Sequence, residues 1–236
     1  MKKEEWKRLA AKGALELEEL VNAEIIGVGT GSTVAHLIDL FPSNIIQRKL
    51  FVASSMDTAL KLKGRGAKVM DASALDSLDI YIDGADAVDW EGNAIKGGGA
   101  ALFREKVLAS MSKFFTIIID EEKLVKDLRE RPLPVEVDPF ALSFVVRKIE
   151  ELGMSAFIRQ AKEGKQGPIF SDSCRVIVDV DIRNWGEDLE KLNAELKRIP
   201  GILETGLFIG MADVILIGGE GGIARRPGGR RVRKGS

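Results

Sequence analysis

The chain of 236 residues is poor in the side chains that most often build metal and disulfide sites: it has one cysteine, Cys174, and one histidine, His36. A lone cysteine excludes an intramolecular disulfide framework and a cysteine-ligated cluster, and it fits a reducing compartment. A lone histidine excludes a histidine-rich zinc centre. Long apolar runs are missing too. No window approaches the roughly 18 uncharged apolar residues of a membrane span. The opening stretch, MKKEEWKRLAAKGALELEEL, mixes acids with bases, unlike a secretory signal. A cytoplasmic protein with no membrane attachment is the expectation.

Net charge is small overall, at a formal −1, but unevenly placed. The last twelve residues carry Arg225, Arg226, Arg230, Arg231, Arg233 and Lys234, a charge of +6, so the preceding body holds −1 minus 6, or −7. An acidic body argues against a nucleic-acid binder, which needs a basic face. The segment 225–236 is rich in glycine and arginine without apolar spacing. It reads as a disordered basic tail, with an anion- or partner-binding arm as the alternative.

What the chain does contain is enough apolar residue, 45%, to bury a sizeable core. An apolar run from Ile25 leads into Gly27-Val28-Gly29-Thr30-Gly31-Ser32-Thr33, then a helical pattern over 34–41 that Pro42 ends. Further strand-like runs fall at 50–53, 68–71, 79–83 and 114–120, with helical stretches at 56–63 and 100–112. Alternating strand and helix, with a run apolar on both faces at 116–119, indicates a parallel sheet covered by helices. The character changes near Arg131-Pro132-Leu133-Pro134. Strands at 135–137, 154–159, 175–182 and 202–205, with helices at 139–152 and 187–198, give the order βαββαβ of a ferredoxin-like split motif. A last apolar run, 212–217, is placed to return to the first sheet.

The expected fold class is therefore α/β. It is a Rossmann-like, mostly parallel sheet with helices on both faces, plus an inserted α+β, ferredoxin-like subdomain. Residues 1–131 and 206–224 are assigned to the first unit, 132–205 to the second and 225–236 to the tail.

The glycines at 27–31 do not make a nucleotide site. A dinucleotide fingerprint needs G-x-G-x-x-G and an acid about 20 residues on, but Ser32 stands at the sixth position and 46–50 contains no acid. A P-loop needs a lysine after its last glycine, and none follows Gly31. What remains is a strand-to-helix turn with Thr30, Ser32 and Thr33. Its amides and hydroxyls suit a phosphate monoester; a simple turn capped by Ser32 is the plainer alternative.

Asp83-Gly84-Ala85-Asp86 ends a strand, where open α/β sheets bind ligands, although an Asx turn alone would also place aspartate there. Ten residues later comes Lys96-Gly97-Gly98-Gly99, followed by a helix expected from Ala100, with Glu105 one to two turns in. Consecutive glycines begin a helix poorly, each costing about 1 kcal/mol relative to alanine, so they suggest close backbone approach to a ligand. Glu105 as a surface ion pair is the alternative, but the adjacent Arg104 and Lys106 do not share its helix face. His36, Cys174 and the glycine run 218–222 read as packing, an idle thiol and a flexible exit to the tail.

The stretches GVGTGSTVAHLI, IDGADAVD, IKGGGAALFREK, IIIDEEKLV and LPVEVDPF occur in the order and at the separations of type A ribose-5-phosphate isomerases, which the chain resembles from Lys7 to Ile217. Ala87 departs from the family, which commonly has glutamate there, and the basic tail lies outside the pattern. The resemblance implies reversible isomerisation of ribose 5-phosphate and ribulose 5-phosphate, in the non-oxidative pentose phosphate pathway, with no metal or organic cofactor. It also implies association into homodimers or homotetramers. Glu105 matches the general base, with Asp83, Asp86 and Lys96 as catalytic partners. Substrate is implied to contact Thr30, Gly31, Ser32, Thr33, Asp83, Gly84, Ala85, Asp86, Lys96, Gly97, Gly98, Gly99, Lys123 and Lys7.

On this reading one carboxylate takes a proton from C2 and returns it to C1 through an enediolate, whose charge Lys96 stabilises. A related sugar-phosphate deaminase would want a histidine near the carboxylates, and His36 is poorly placed for that. A non-catalytic sugar-phosphate sensor would keep the glycine loops but should carry an attached DNA-reading module, for which no segment is long enough.

Overall fold

The strand-like runs align side by side because most of them have two apolar faces to cover. In chain order, α1 (Lys2–Leu15) and α2 (Glu18–Asn22) lead into β1 (Ile25–Val28), α3 (Ser32–Leu40), α4 (Ser43–Arg48) and β2 (Leu50–Ala53). Next come α5 (Met56–Gly64), β3 (Lys68–Met70), β4 (Leu78–Asp83), the short β5 (Ala87–Val88) and β6 (Ala94–Ile95), α6 (Leu102–Met111) and β7 (Ser112–Asp120). The second half holds β8 (Leu133–Val137), α7 (Leu142–Glu151), β9 (Ser155–Ile158), β10 (Val176–Asp181), α8 (Leu189–Lys197) and β11 (Ile202–Thr205). β12 (Leu207–Phe208), β13 (Val214–Gly219) and β14 (Gly222–Pro227) close the chain. The computed structural model describes residues 2–230 apart from 162, 163 and 165.

Seven strands form one sheet in the order β14-β13-β7-β4-β1-β2-β3, parallel except for the antiparallel β14. Period-two alternation divides its side chains between two cores. Ile26, Val28, Ile80, Ile82 and Ile118 pack with Ala10, Ala14, Leu37 and Ile38 of α1 and α3. Tyr81, Phe115, Ile117 and Ile119 pack on the other face with Leu108, Ala109 and Phe208. Each such large side chain, fully buried, contributes about 1.5–3 kcal/mol. Strand addition runs from β1 towards β3, then reverses at β4, which lies on the other side of β1. That reversal is a topological switch point, and it opens a crevice at the carboxyl ends of β1 and β4.

A second, antiparallel sheet runs β11-β8-β10-β9, with Val145, Ile149, Leu192 and Leu196 of α7 and α8 packed on Val135, Val137, Val178 and Val180. A three-stranded ribbon, β12-β6-β5, joins the chain on either side of it.

Four local expectations need correction. Ala100 does not begin a helix: its φ is +58°, and its amide donates to Gly97 O at 3.0 Å, closing a turn. The helix starts at Leu102, so Glu105 sits in its first turn. Residues 139–141 form a 3₁₀ turn, with Asp138 capping the Phe140 amide, before α7 begins at Leu142. The glycines after Ile217 are a hairpin and not a loose exit, and Arg225, Arg226 and Pro227, expected in a disordered tail, pair with β13. Arg230 is fixed as well, 2.5 Å from Asp213 and bonded to the carbonyls of Ser112 and Lys113. The remaining tail, 231–236, lies outside the described residues.

Candidate active site

Three loops meet at the crevice, and glycine is what lets them approach. The turn after β1 places Gly29 where a Cβ would stand 1.8 Å from Asp83 Oδ1. A Cβ on Gly98 would lie 2.4 Å from Asp86 Oδ1. Gly31 and Gly97 hold φ values of +125° and +112°, open to glycine but strained for other residues. Together the loops enclose a cleft of about 170 Å³. Its walls carry the sequence-predicted Lys7, Thr30, Gly31, Ser32, Thr33, Gly84, Ala85, Asp86, Lys96, Gly97, Gly98, Gly99, Glu105 and Lys123. A larger depression of about 850 Å³, bordered by Trp90, Arg129 and Asp188, contains none of them.

Asp83 is brought to the same place but sits behind the wall, fully buried. Its Oδ1 accepts from the amides of Thr30 at 3.1 Å and Gly84 at 2.7 Å. Its Oδ2 faces the Lys96 ammonium at 2.7 Å and accepts the Tyr81 hydroxyl. Lys96 Nζ also donates to Gly84 O at 2.5 Å and lies 3.2 Å from Glu105 Oε2. The last contact is a charge contact without a directed hydrogen bond, so among the described residues Glu105 Oε2 has no hydrogen-bond partner.

Burial, reinforced by the charge of Asp83, pushes the Glu105 carboxyl up to about 8 despite the opposing Lys96. Burial works against the Lys96 cation, but Asp83 and Glu105 outweigh it and raise its proton affinity. The site thus holds a permanent ammonium next to a carboxyl with a proton affinity near neutrality. Such a carboxyl both accepts and returns a proton readily.

The other predicted residues are disposed less simply. Asp86 Oδ2 accepts the Gly98 amide at 2.7 Å, which ties the second loop to the third. The Thr30 hydroxyl turns inward, 2.7 Å from both Ser54 and Ser55, so Thr30 offers the cleft no free hydroxyl. Lys7 pairs with Glu4 at 2.6 Å, and the same Glu4 takes His36 at 2.9 Å, a histidine that does not line the cleft.

Several neighbours escaped the sequence reading. Lys3, one helical turn before Lys7, lines the cleft with Asp120, whose two buried oxygens have no hydrogen-bond partner among the described residues. The i, i+4 spacing of the two lysines was a usable signal. Arg159, directly after β9, donates to Gly97 O at 2.8 Å and Gly98 O at 3.2 Å while paired with Asp179. No local pattern announces that contact. Among the described residues no three His, Cys, Asp or Glu side chains converge as a metal site, and no helix is long and apolar enough to cross a membrane.

The family model for ribose 5-phosphate isomerase A (phosphoriboisomerase A) matches residues 50–222. A ribose-5-phosphate isomerase A from Aeropyrum pernix is 41% identical over 213 residues, 89% of each chain. A D-ribose-5-phosphate isomerase solved in complex with phospho-erythronic acid superposes with a TM-score of 0.89 at 33% identity, covering 96% of this chain and all of that one. The enzyme from Neisseria gonorrhoeae gives a TM-score of 0.85 at 34% identity, covering 95% and 97%. The chain belongs to the ribose 5-phosphate isomerase A family.

Proposed function

We propose that Glu105 is the proton shuttle of an aldose–ketose isomerisation in which Lys96 stabilises an enediolate. As a member of its family the chain is an isomerase that interconverts ribose 5-phosphate and ribulose 5-phosphate. The mechanism rests chiefly on one observation: a buried Glu105 carboxyl in the wall of the cleft, with one oxygen free of hydrogen bonds 3.2 Å from a fixed ammonium.

The open-chain aldose gives up its C2 proton to the Glu105 carboxylate. The bonding pair becomes the C1–C2 double bond, and negative charge moves onto O1, within the field of Lys96. After a proton passes between O1 and O2, the Glu105 carboxylic acid returns its proton to C1 and the carbonyl is left at C2. Placing the oxyanion near a cation that is already desolvated avoids reorganisation during the reaction. Asp86 and the glycine amides orient the hydroxyls. The α3 N-terminus with Ser32 and Thr33, together with Lys7 and Lys123, takes the phosphate. Binding of that remote group supplies the energy for positioning. The phospho-erythronic acid complex of the relative supports a phosphorylated polyol as the ligand class.

Incubation with ribose 5-phosphate in deuterated water tests the reading. Ketose should form, with solvent deuterium entering the sugar. Absence of ketose overturns the isomerase assignment, and formation with no exchange under any condition points to direct hydride transfer in place of the enediolate.

A further inference from the structure

We propose that Tyr81 is a positioning residue of this reaction: its buried hydroxyl fixes the Asp83 carboxylate, which in turn holds the Lys96 ammonium beside Glu105. The proposal rests on the isomerase reading above. Tyr81 and Asp83 stand two positions apart on β4 and so share one face of the sheet. Tyr81 has no solvent exposure, and its hydroxyl donates to Oδ2 of Asp83, the oxygen that also meets Lys96. With two amides on Oδ1, the Asp83 carboxylate has a donor on every side and none of its acceptor capacity is left for a sugar hydroxyl. Asp83 then acts on the substrate only through Lys96.

The phenol is held in register by its surroundings. Its ring stacks on Phe115, with centroids 5.1 Å apart and 28° between planes. Gly27 leaves the space it needs, since a Cβ there would come within 2.8 Å of the ring. Phe115 meets Phe208 at 6.4 Å, and Lys96 Nζ lies 5.4 Å from the Phe208 ring centre. One aromatic row therefore touches both ends of the Asp83–Lys96 pair. Burial, and then the charge of Asp83, hold the phenol well above its usual range for losing a proton, so it stays a donor.

Tyr81→Phe removes the hydroxyl and keeps the stacked ring. Asp83 then carries a less dispersed charge and draws Lys96 closer, away from Glu105. The charged groups that act on Glu105 are Asp83 from β4, Asp86 from the following loop and Lys96 after β6. Lys106 stands against Phe208, 4.9 Å from the ring centre.

The expected result is a kcat about tenfold lower with KM little changed, the rate equivalent of one lost hydrogen bond to a charged group. In the free protein, the Glu105 carboxyl followed by carbon-13 NMR should titrate at higher pH in Tyr81→Phe than in wild type. Phe115→Leu, which disturbs the stack but keeps the hydroxyl, should lower the melting temperature and leave that titration in place. An unchanged kcat and titration in Tyr81→Phe overturns the proposal, as does an equal titration shift in both variants, which would reduce Tyr81 to packing. If wild type fails to isomerise ribose 5-phosphate, the isomerase reading falls, and the titration arm still decides whether Tyr81 positions the pair.

Discussion

The Lys96 ammonium lies 3.2 Å from Glu105 Oε2, and both side chains are almost wholly withdrawn from solvent. At that depth neither group is a surface ion pair of negligible worth. The cation is held mainly by Asp83 and Gly84, so it can stand near Glu105 without spending a directed hydrogen bond on it.

Replacing the carboxylate tests the shuttle directly. Glu105→Gln keeps the shape and removes the base, so turnover should fall by about 10²–10⁴-fold. Calorimetry should still detect binding of phospho-erythronic acid. Activity above about a tenth of wild type would remove Glu105 from the role of base.

Lys96→Met leaves Asp83 and Glu105 buried without their cation. Breaking a buried pair in this way costs about 3–5 kcal/mol, visible as a lower denaturation midpoint. Kinetically, the loss should appear in kcat. A change confined to KM would make Lys96 a ground-state anchor instead.

The raised proton affinity of Glu105 has a defined sign in pH. The free enzyme loses the carboxylate as pH falls through about 8, so the acid limb of kcat/KM should lie near there and not near the ordinary 4.5. Stability moves the other way. The folded state binds this proton more tightly than the unfolded chain, so stability from this group is lost as pH rises from about 4.5 to about 8. Denaturant midpoints across that window should fall less steeply in Glu105→Gln than in wild type; parallel curves would reject the shift.

Gly29→Ala forces a methyl to within 1.8 Å of Asp83 Oδ1, so the carboxylate or the β1 loop must move. A large fall in kcat is expected. Gly66→Ala, away from the cleft, meets no atom within 4 Å and suffers only from its positive φ, a strain of about 1–2 kcal/mol. It should mainly lower the melting temperature, and equal kinetic damage in the two variants would show that the Asp83 contact is not what matters.

Most of the fold was legible because period-two and helical patterns are local. The strand at 50–53, the helix from Met56 and the βαββαβ order follow from side-chain spacing and from Pro and Gly punctuation. The candidate site was legible where glycine stands next to a charged residue, as in residues 83–86 and 96–99. Contacts made only by tertiary packing were not. Arg159 reaches Gly97 and Gly98 from 62 and 61 residues away, Tyr81 resembles any apolar strand residue, and Ala100 gives no sign of its positive φ. The inward Thr30 hydroxyl was misjudged because Ser54 and Ser55 belong to the next strand-to-helix turn.

The hairpin that closes the chain also decides how the sheet meets other molecules. Without β14, the parallel strand β13 would present Ile215 and Ile217 along a bare row of amides and carbonyls, ready to recruit a strand from a neighbouring chain. β14 fills that row and turns exposed Arg225 and Pro227 to the outside, with the half-buried Arg226 between them stacked over Trp90. Charge and a missing amide make poor templates for further pairing. The arginines that look like a loose basic tail serve in part as a guard against aggregation.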